Sequence, residues 1–452
     1  MNTGNTASVF ALDLKTLQEG YRTRAFTPED VVRESLKRIA SFTGEGEWTC
    51  LVAEDEVLQR AKMLLQADVS LPFYGLPFSV KDNIDVEGLP TTAGCRAYSY
   101  TARETASVVQ QLLDGGAILM GKNTMDEFAT GVVGVRSFPH PCNPFNSDYI
   151  PGGSSSGSGV VVSKGCVSFS LGSDTGGSGR VPAGLCNIVG FKAAPGCLGN
   201  HGMVYANESI DCIPIFCRYV YDAEYLFAHL CVQTSHSMQP QLMPGTRIAI
   251  PASTGLQFFG DTRSQQCFNN ILAKLEGYGC QITDIDFEPF AQAGEMLFEG
   301  AFVSERYHSV GHFIDQHPAE VNATVRDIIG RGKSVTTDAV WRDLHKLRRL
   351  KERVHRTLGN VDFLLTPTAP THYTIAEVNA EPVTRNKNMA YYTNFSNLLD
   401  LAVIAVPGDF RNDGLPFGIS FTTTGHQETR LLEFARMWED LNGIAPGCTT
   451  HT

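Results

Sequence analysis

The sequence predicts an α/β protein with a central sheet covered by helices on both faces. Three observations carry that prediction. Apolar runs of strand length alternate with amphipathic runs of helix length along most of the chain, the pattern of a sheet layered with helices. The 452 residues, 42% of them hydrophobic, can bury a large core, as one big domain or as two to three smaller ones. No internal repeat and no long low-complexity linker divides the chain, so one continuous domain over 1–452 is the simplest organisation.

The elements follow in order. "FTPEDVVRESLKRI" begins a helix: Thr27 suits the N-cap, Pro28 the first helical position, and Asp30 stands where a capping-box acid belongs. Phe26 and Val31 are placed to staple its start. "EVLQRAKMLLQAD" is a second helix. "LPFYGLPFSVKDNIDVEG" reads as a turn, a short buried strand ending at Lys81, and a loop. "SVVQQLLDGGAILMGKNTMDEF" reads as helix, Gly-Gly turn, buried strand and loop. "GCVSFSLGSDTGGSG" is a strand entering a glycine loop, and "RVPAGLCNIVGF" a helix or tight turn after it. Residues 287–356 are mostly helical, and the basic stretch "RDLHKLRRLKERVHR" is a solvated helix face. "VDFLLTPTAP", "NLLDLAVIAVP" and "GLPFGISFTTT" are further core strands, and "ETRLLEFARMWED" is a closing amphipathic helix.

Composition excludes several roles. The net charge is −12 with no basic patch, which argues against nucleic acid and anionic membranes as partners. No apolar run reaches the roughly 18 residues needed to span a bilayer. The N-terminal stretch "MNTGNTASVFALDLKTLQEG" lacks a basic n-region followed by an apolar core, so no secretory signal is read there. Twelve scattered cysteines form no CxxC pair and no zinc-spaced Cys/His cluster. They read as reduced, mostly buried thiols of a cytoplasmic protein that binds no metal.

Two stretches rich in glycine and serine, "PGGSSSGS" at 151–158 and "DTGGSGR" at 174–180, need a separate account. No lysine follows their glycines as in a phosphate loop, and no G-x-G-x-x-G follows a strand. A flexible linker fits poorly, because both adjoin apolar strand-like runs, "GVVVS" after the first and "VSFSLGS" before the second. The third reading is a nucleophile with an oxyanion hole. A serine hydroxyl needs a base, and backbone N–H groups of a glycine loop can converge on one oxyanion. No G-x-S-x-G elbow surrounds Ser178, and no histidine stands out as its base. Serine–lysine arrangements are a known variant. Lys81, at the end of the apolar run "LPFSV", is the candidate, since burial lowers a lysine's pKa.

Taken together, "SVKDNIDVEGLPTTAG" and "PGGSSSGSGVVVSKGCVSFSLGSDTGGSGRVPAGLCNIVGFK" resemble the amidase signature family, with a spacing of 24 from Ser154 to Ser178. The resemblance implies an α/β domain with a mixed central sheet. It implies N-terminal helices over about 10–70, a catalytic core over about 71–235, and a substrate-lining half over about 236–445. It also implies a triad: Ser178 as the acyl-accepting nucleophile, Ser154 as a bridging serine after a cis Gly153–Ser154 peptide, and Lys81 as the base. Thr175, Gly176 and Gly177, with Ser178, match the oxyanion donors. Thr130 and Gly131, in "EFATG", match a segment that contacts substrate through its backbone. No metal or organic cofactor is implied.

Within the family, "SIDCIPIF", "FEGAFVSERY", "LLTPTAPTHYTIAEVNAEPV" and "TNFSNLLDLAVIAVPGDFRNDGLPFGISF" resemble the amidase domain of allophanate hydrolases. That implies hydrolysis of allophanate, a small amide with an anionic end, releasing ammonia, by a cytoplasmic homodimer. Arg306, in "SERY", matches the arginine that grips the carboxylate. Three features depart from this branch. Phe298, in "MLFEG", replaces a tyrosine that hydrogen-bonds substrate. "FKAAPGCLGNHGMV" replaces a lysine–proline–threonine stretch, and the chain stops soon after the amidase domain. The alternatives are a stand-alone paralogue acting on a biuret-like amide, a ureido acid or a dicarboxylic monoamide, and an accessory subunit of amidotransferase type. A fatty-amide hydrolase is disfavoured, because no exposed apolar helix suggests membrane binding.

Overall fold

The computed structural model describes residues 10–42, 46–231 and 244–449. The first nine residues of the N-terminal stretch and the boundary placed near 235 lie outside the described residues.

Among the described residues, the strands in chain order are β1 (Trp48–Leu51), β2 (Pro77–Lys81), β3 (Pro90–Thr91), β4 (Tyr100–Thr101), β5 (Ile118–Asn123), β6 (Phe169–Leu171), β7 (Val189–Lys192), β8 (Ile215–Cys217), β9 (Arg247–Pro251), β10 (Gln281–Ile285), β11 (Phe363–Pro367), β12 (Leu401–Phe410) and β13 (Pro416–Thr424). Apart from the small β3–β4 ribbon, they form one 11-stranded sheet of order β1-β5-β2-β6-β8-β7-β12-β13-β11-β9-β10. The sheet is mixed. β5–β2–β6 and β11–β9–β10 run parallel, and the strands between them alternate in direction.

Both faces are covered, and the side-chain period of two shows how. Leu119 of β5 and Ile215 and Cys217 of β8 join one apolar cluster with Phe78 and Val80 of β2. Ile118 and Met120 of β5 and Phe216 of β8 join another, on the opposite face. In β2, the residues between the apolar ones are Ser79 and Lys81, so Lys81 points away from the first cluster. Ser79 Oγ donates to Ser170 Oγ at 2.9 Å. The strand therefore delivers a lysine to a buried polar seam at the sheet's end.

The helix Pro28–Ser41 starts as the sequence predicts: Thr27 Oγ1 accepts from Asp30 N, and Asp30 Oδ2 accepts from Thr27 N at 2.8 Å. Phe26 packs on Phe10, ring centroids 4.3 Å apart, beside the cluster that contains Val31. The basic helix Thr337–Leu358 buries Leu347, Leu350, Val354 and Leu358 and turns its charges outward. None of the twelve cysteines is in a disulfide, and eight are buried.

Two expectations are corrected. "RVPAGLCNIVGF" is a helix only over Val181–Leu185 and ends in β7. "GVVVS" belongs to a helix, Ser156–Ser163, whose residues are all buried. A helix enclosed on all sides has no polar face, so its run of valines carries no helical period and reads like a strand. Its glycines allow this burial: a Cβ on Gly157 would lie 2.3 Å from Glu47 O. β9, β10 and the helices Val220–Leu230 and Thr262–Gly277 were not anticipated.

β7 also supports the glycine loop from behind. A Cβ on Gly190 would sit 2.3 Å from the carbonyl oxygen of Gly179. Both groups are constrained, so Gly190→Ala is expected to cost about 1–3 kcal/mol, measured by urea denaturation. Activity should fall at temperatures where the variant is still folded.

Candidate active site

Three elements converge at the end of β2. Lys81 Nζ lies 2.7 Å from Ser154 Oγ, and Ser154 Oγ lies 2.8 Å from Ser178 Oγ. Ser154 sits just before the helix Ser156–Ser163, and the Gly153–Ser154 peptide is cis, the geometry the resemblance implies. Ser178 ends the loop that leaves β6 and leads to the helix Val181–Leu185. Lys81 and Ser154 are fully buried, and Ser178 nearly so.

Lys81 Nζ also reaches Ser173 Oγ at 2.9 Å and Ser173 O at 3.2 Å. Three acceptors match the three N–H donors of an ammonium. Burial opposes the charge and brings the Lys81 pKa down to about 7; Asp126, Asp174 and Asp211 limit the fall, and Arg306 adds to it. At neutral pH a large fraction of Lys81 is therefore the free amine. With the amine neutral, the relay can run from Ser178 O–H to Ser154 Oγ and from Ser154 O–H to Lys81 Nζ.

The loop that carries Ser178 is pinned by charge. Asp174 and Arg180 form a two-armed ion pair, Nε to Oδ2 and Nη2 to Oδ1 both at 2.9 Å. Burial alone would raise the Asp174 pKa, but the Arg180 guanidinium prevails and holds it at about 2. Arg180 Nη1 donates to Thr393 O at 3.0 Å, and Asn397 Nδ2 donates to Asp174 O at 2.6 Å. Asp174 also accepts from the backbone N–H groups of Gly177 and Gly179 at 2.9 and 2.8 Å. The Gly177 amide, expected among the oxyanion donors, is thus held by Asp174. The backbone N–H groups of Thr175, Gly176 and Ser178 take no protein acceptor among the described residues. Thr175 Oγ1 donates to Asp211 Oδ1 at 2.5 Å. Burial pushes the Asp211 carboxyl up to about 6.

Ser178, Thr175 and Gly176 line a small cavity shared with Gly131, Phe298 and Arg306. Arg306 comes from the helix Val303–Gln316 and is 1% exposed. It makes no ion pair among the described residues. Its Nη1 contacts Thr130 Oγ1 at 3.3 Å and Ala129 O at 3.4 Å, its Nε has no partner, and its guanidinium lies 4.7 Å from the centre of the Phe298 ring. Burial lowers its pKa to about 10, partly offset by Asp211 and Glu305, so it stays cationic at neutral pH. Phe298 presents its ring face to the cation. Gly131 has φ +132°, and a Cβ there would meet Arg136 Nη1 at 2.7 Å. A second cavity of about 370 Å³ adjoins the first, with Phe298, Asn386 and Asn394 lining both.

All the residues singled out in the sequence converge here. Several partners were missed: Ser173, Asp126, Arg180, Asn397 and Asp211. Asp174 and Arg180 bracket the glycine loop, and an acid and a base six residues apart around three glycines could have been read as its clamp. Asn397 and Asp211 arrive from distant segments and leave no local signal. Asp126 accepts from the backbone N–H groups of Gly134 and Arg136 at 2.8 and 2.9 Å, which fixes the turn facing Ser154. Among the described residues, no group of three or more His, Cys, Asp or Glu is placed to hold a metal. No helix among them is long and apolar enough to cross a membrane.

The model of the family described as Amidase matches residues 30–432. Urea amidolyase of Saccharomyces cerevisiae is 37% identical over 408 residues, 87% of this chain, and the chain spans 22% of that protein. A glutamyl-tRNA(Gln) amidotransferase subunit of Exiguobacterium sibiricum is 30% identical over 480 residues, covering 96% of this chain and 98% of the relative. The selenomethionine-substituted allophanate hydrolase of Kluyveromyces lactis superposes with a TM-score of 0.87 at 34% identity, covering 96% of this chain and 73% of that one.

Two outcomes follow from the geometry. A base with a pKa near 7 works as the free amine, so kcat/KM should fall about tenfold per pH unit below 7 and level off above it; a pH–rate profile between 5 and 9 checks this. Arg180→Met leaves Asp174 buried without its counter-ion and should lower stability by about 3–5 kcal/mol, read from denaturant unfolding.

Proposed function

The chain belongs to the amidase family, and from that premise we propose that it hydrolyses a small carboxylated amide, most readily allophanate, with release of ammonia. One observation carries the choice of substrate. Arg306 is a buried guanidinium without an ion-pair partner among the described residues, and it faces the cavity that holds Ser178. A buried cation of this kind requires an anion, and a planar guanidinium suits a carboxylate. The small cavity favours a compact substrate. The likeness to allophanate hydrolase supports the same reading.

In this mechanism the substrate carboxylate lies on Arg306, braced by Thr130 and by the ring of Phe298, with the Gly131 backbone alongside. The scissile carbonyl oxygen lies toward the amides of Thr175, Gly176 and Ser178. Neutral Lys81 takes the proton of Ser154 as Ser154 takes that of Ser178. Ser178 Oγ attacks the terminal carbonyl carbon and the charge passes to the oxygen. The relay then returns the proton to the leaving nitrogen, the C–N bond breaks, and ammonia departs. Water, deprotonated through the same relay, attacks the acyl-enzyme and frees Ser178 with the carboxylated product.

The domain is read as one unit, its C-terminal half contributing Phe298 and Arg306 to the substrate side. The enzyme is taken to be a cytoplasmic homodimer, which the resemblance implies and which suits twelve cysteines without a disulfide.

The test is ammonia release from allophanate, biuret, malonamate and a long-chain amide, with Ser178→Ala as the control. Activity on allophanate that the control lacks supports the proposal; activity only on another amide overturns the substrate. Arg306→Ala should reduce kcat/KM on allophanate about 100-fold, mainly through KM, since a charged hydrogen bond contributes about 1.5–3 kcal/mol. Malonamide, which has no charge to grip, should change less than about threefold.

A further inference from the structure

Arg306 and the open amides of the nucleophile loop only donate hydrogen bonds. They recognise a carboxylate and a carbonyl. They offer nothing to a substrate nitrogen that carries hydrogen. Apart from the Ser178 hydroxyl, the cavity wall has one open side-chain acceptor for that task among the described residues. Asn394 Oδ1 is buried and has no hydrogen-bond partner. The other lining amide is engaged, since Asn386 Oδ1 accepts from Val132 N at 2.8 Å, and the Thr175 hydroxyl is donated to Asp211.

The position of Asn394 strengthens the case. It precedes the short helix Phe395–Leu398 with helical backbone angles, φ −60° and ψ −24°, so its side chain is not turned back onto the first turn and makes no cap bond. The oxygen lies against the nucleophile loop, 2.7 Å from where a Cβ on Gly176 would stand. The residue cannot swing away freely. Its backbone N–H donates to Ala390 O at 3.1 Å, and neighbouring Thr393 Oγ1 donates to Gly176 O at 2.8 Å. A buried acceptor without a protein partner among the described residues, held at a fixed point on a cavity wall, is open to a donor from a ligand.

We infer that Asn394 is a specificity-determining residue, whose side-chain oxygen accepts the N–H that bridges the scissile carbonyl and the anionic end of the substrate. The inference rests on the proposed function and adds to it a requirement for nitrogen at the bridge. A site built around one hydrogen bond rejects the analogue that lacks it.

The test compares allophanate with malonamate, which has CH2 in place of the bridging N–H. In Asn394→Ala, kcat/KM for allophanate relative to malonamate should fall about tenfold or more from its wild-type value. Asn394→Ser keeps a polar side chain but is too short to reach the substrate, and should give the same change if the alanine variant is poorly folded. Calorimetric titration of both ligands into Ser178→Ala, with and without Asn394→Ala, reads the same contrast without turnover. If the wild-type enzyme fails to cleave allophanate, the proposed function is wrong, while the titration still decides the role of Asn394. Equal losses for the two ligands, or no loss for either, overturn the inference.

Discussion

The burial of one amine organises this molecule. Lys81 lies at the end of a strand whose five residues are all buried, and a lysine there must find partners or lose its proton. It does part of each. Two serines supply three acceptors to its Nζ, and its pKa falls to about 7. The same burial that makes the residue costly to fold makes it a base at neutral pH. The strand direction, the buried helix Ser156–Ser163 and the loop after β6 have to meet at that nitrogen for the structure to tolerate it.

A second buried charge arrangement sets the nucleophile. Asp174 and Arg180 satisfy one another, and Asp174 also fixes the Gly177 and Gly179 amides. The loop thereby divides its N–H groups between two tasks. Two hold the loop to Asp174, and those of Thr175, Gly176 and Ser178 stay open toward the cavity. Glycine at 177, with φ +135°, makes the division possible, because a side chain there would be strained and would strike Thr393. Under the proposed function these amides are the oxyanion donors, set in place before substrate arrives, which is the condition for electrostatic catalysis without reorganisation.

Opposite the nucleophile stands a different electrostatic problem. Arg306 is buried and cationic, with Phe298 over its face and only distant carboxylates to steady it. The absence of an adjacent counter-ion leaves its field available to a ligand. Phe298 keeps the ring but lacks the hydroxyl of the tyrosine that the resemblance places there, so under the proposed function recognition at this end rests on charge and on the shape of a small cavity. The wider cavity beyond it shares Phe298, Asn386 and Asn394 with the small one, and these three side chains form the boundary between the two spaces.

Much of this was legible in the sequence. The α/β class followed from alternating apolar runs, the first helix from its cap, and the chemistry from Lys81 and two glycine–serine loops. Those signals are local: a cap, a strand and a glycine turn each need only their neighbours to be specified. The helix Ser156–Ser163 was misread because complete burial erases the period on which the reading depends. β9 and β10 were overlooked because short parallel strands take their pairing from segments far along the chain. The sequence by itself determined which residues could do the chemistry. Only the tertiary structure decided that Asp174 withdraws the Gly177 amide, that Arg306 has no counter-ion beside it, and that Asn394 turns an unpaired oxygen into the cavity. Burial and pairing between distant segments create those properties, and neither is written in any one stretch of residues.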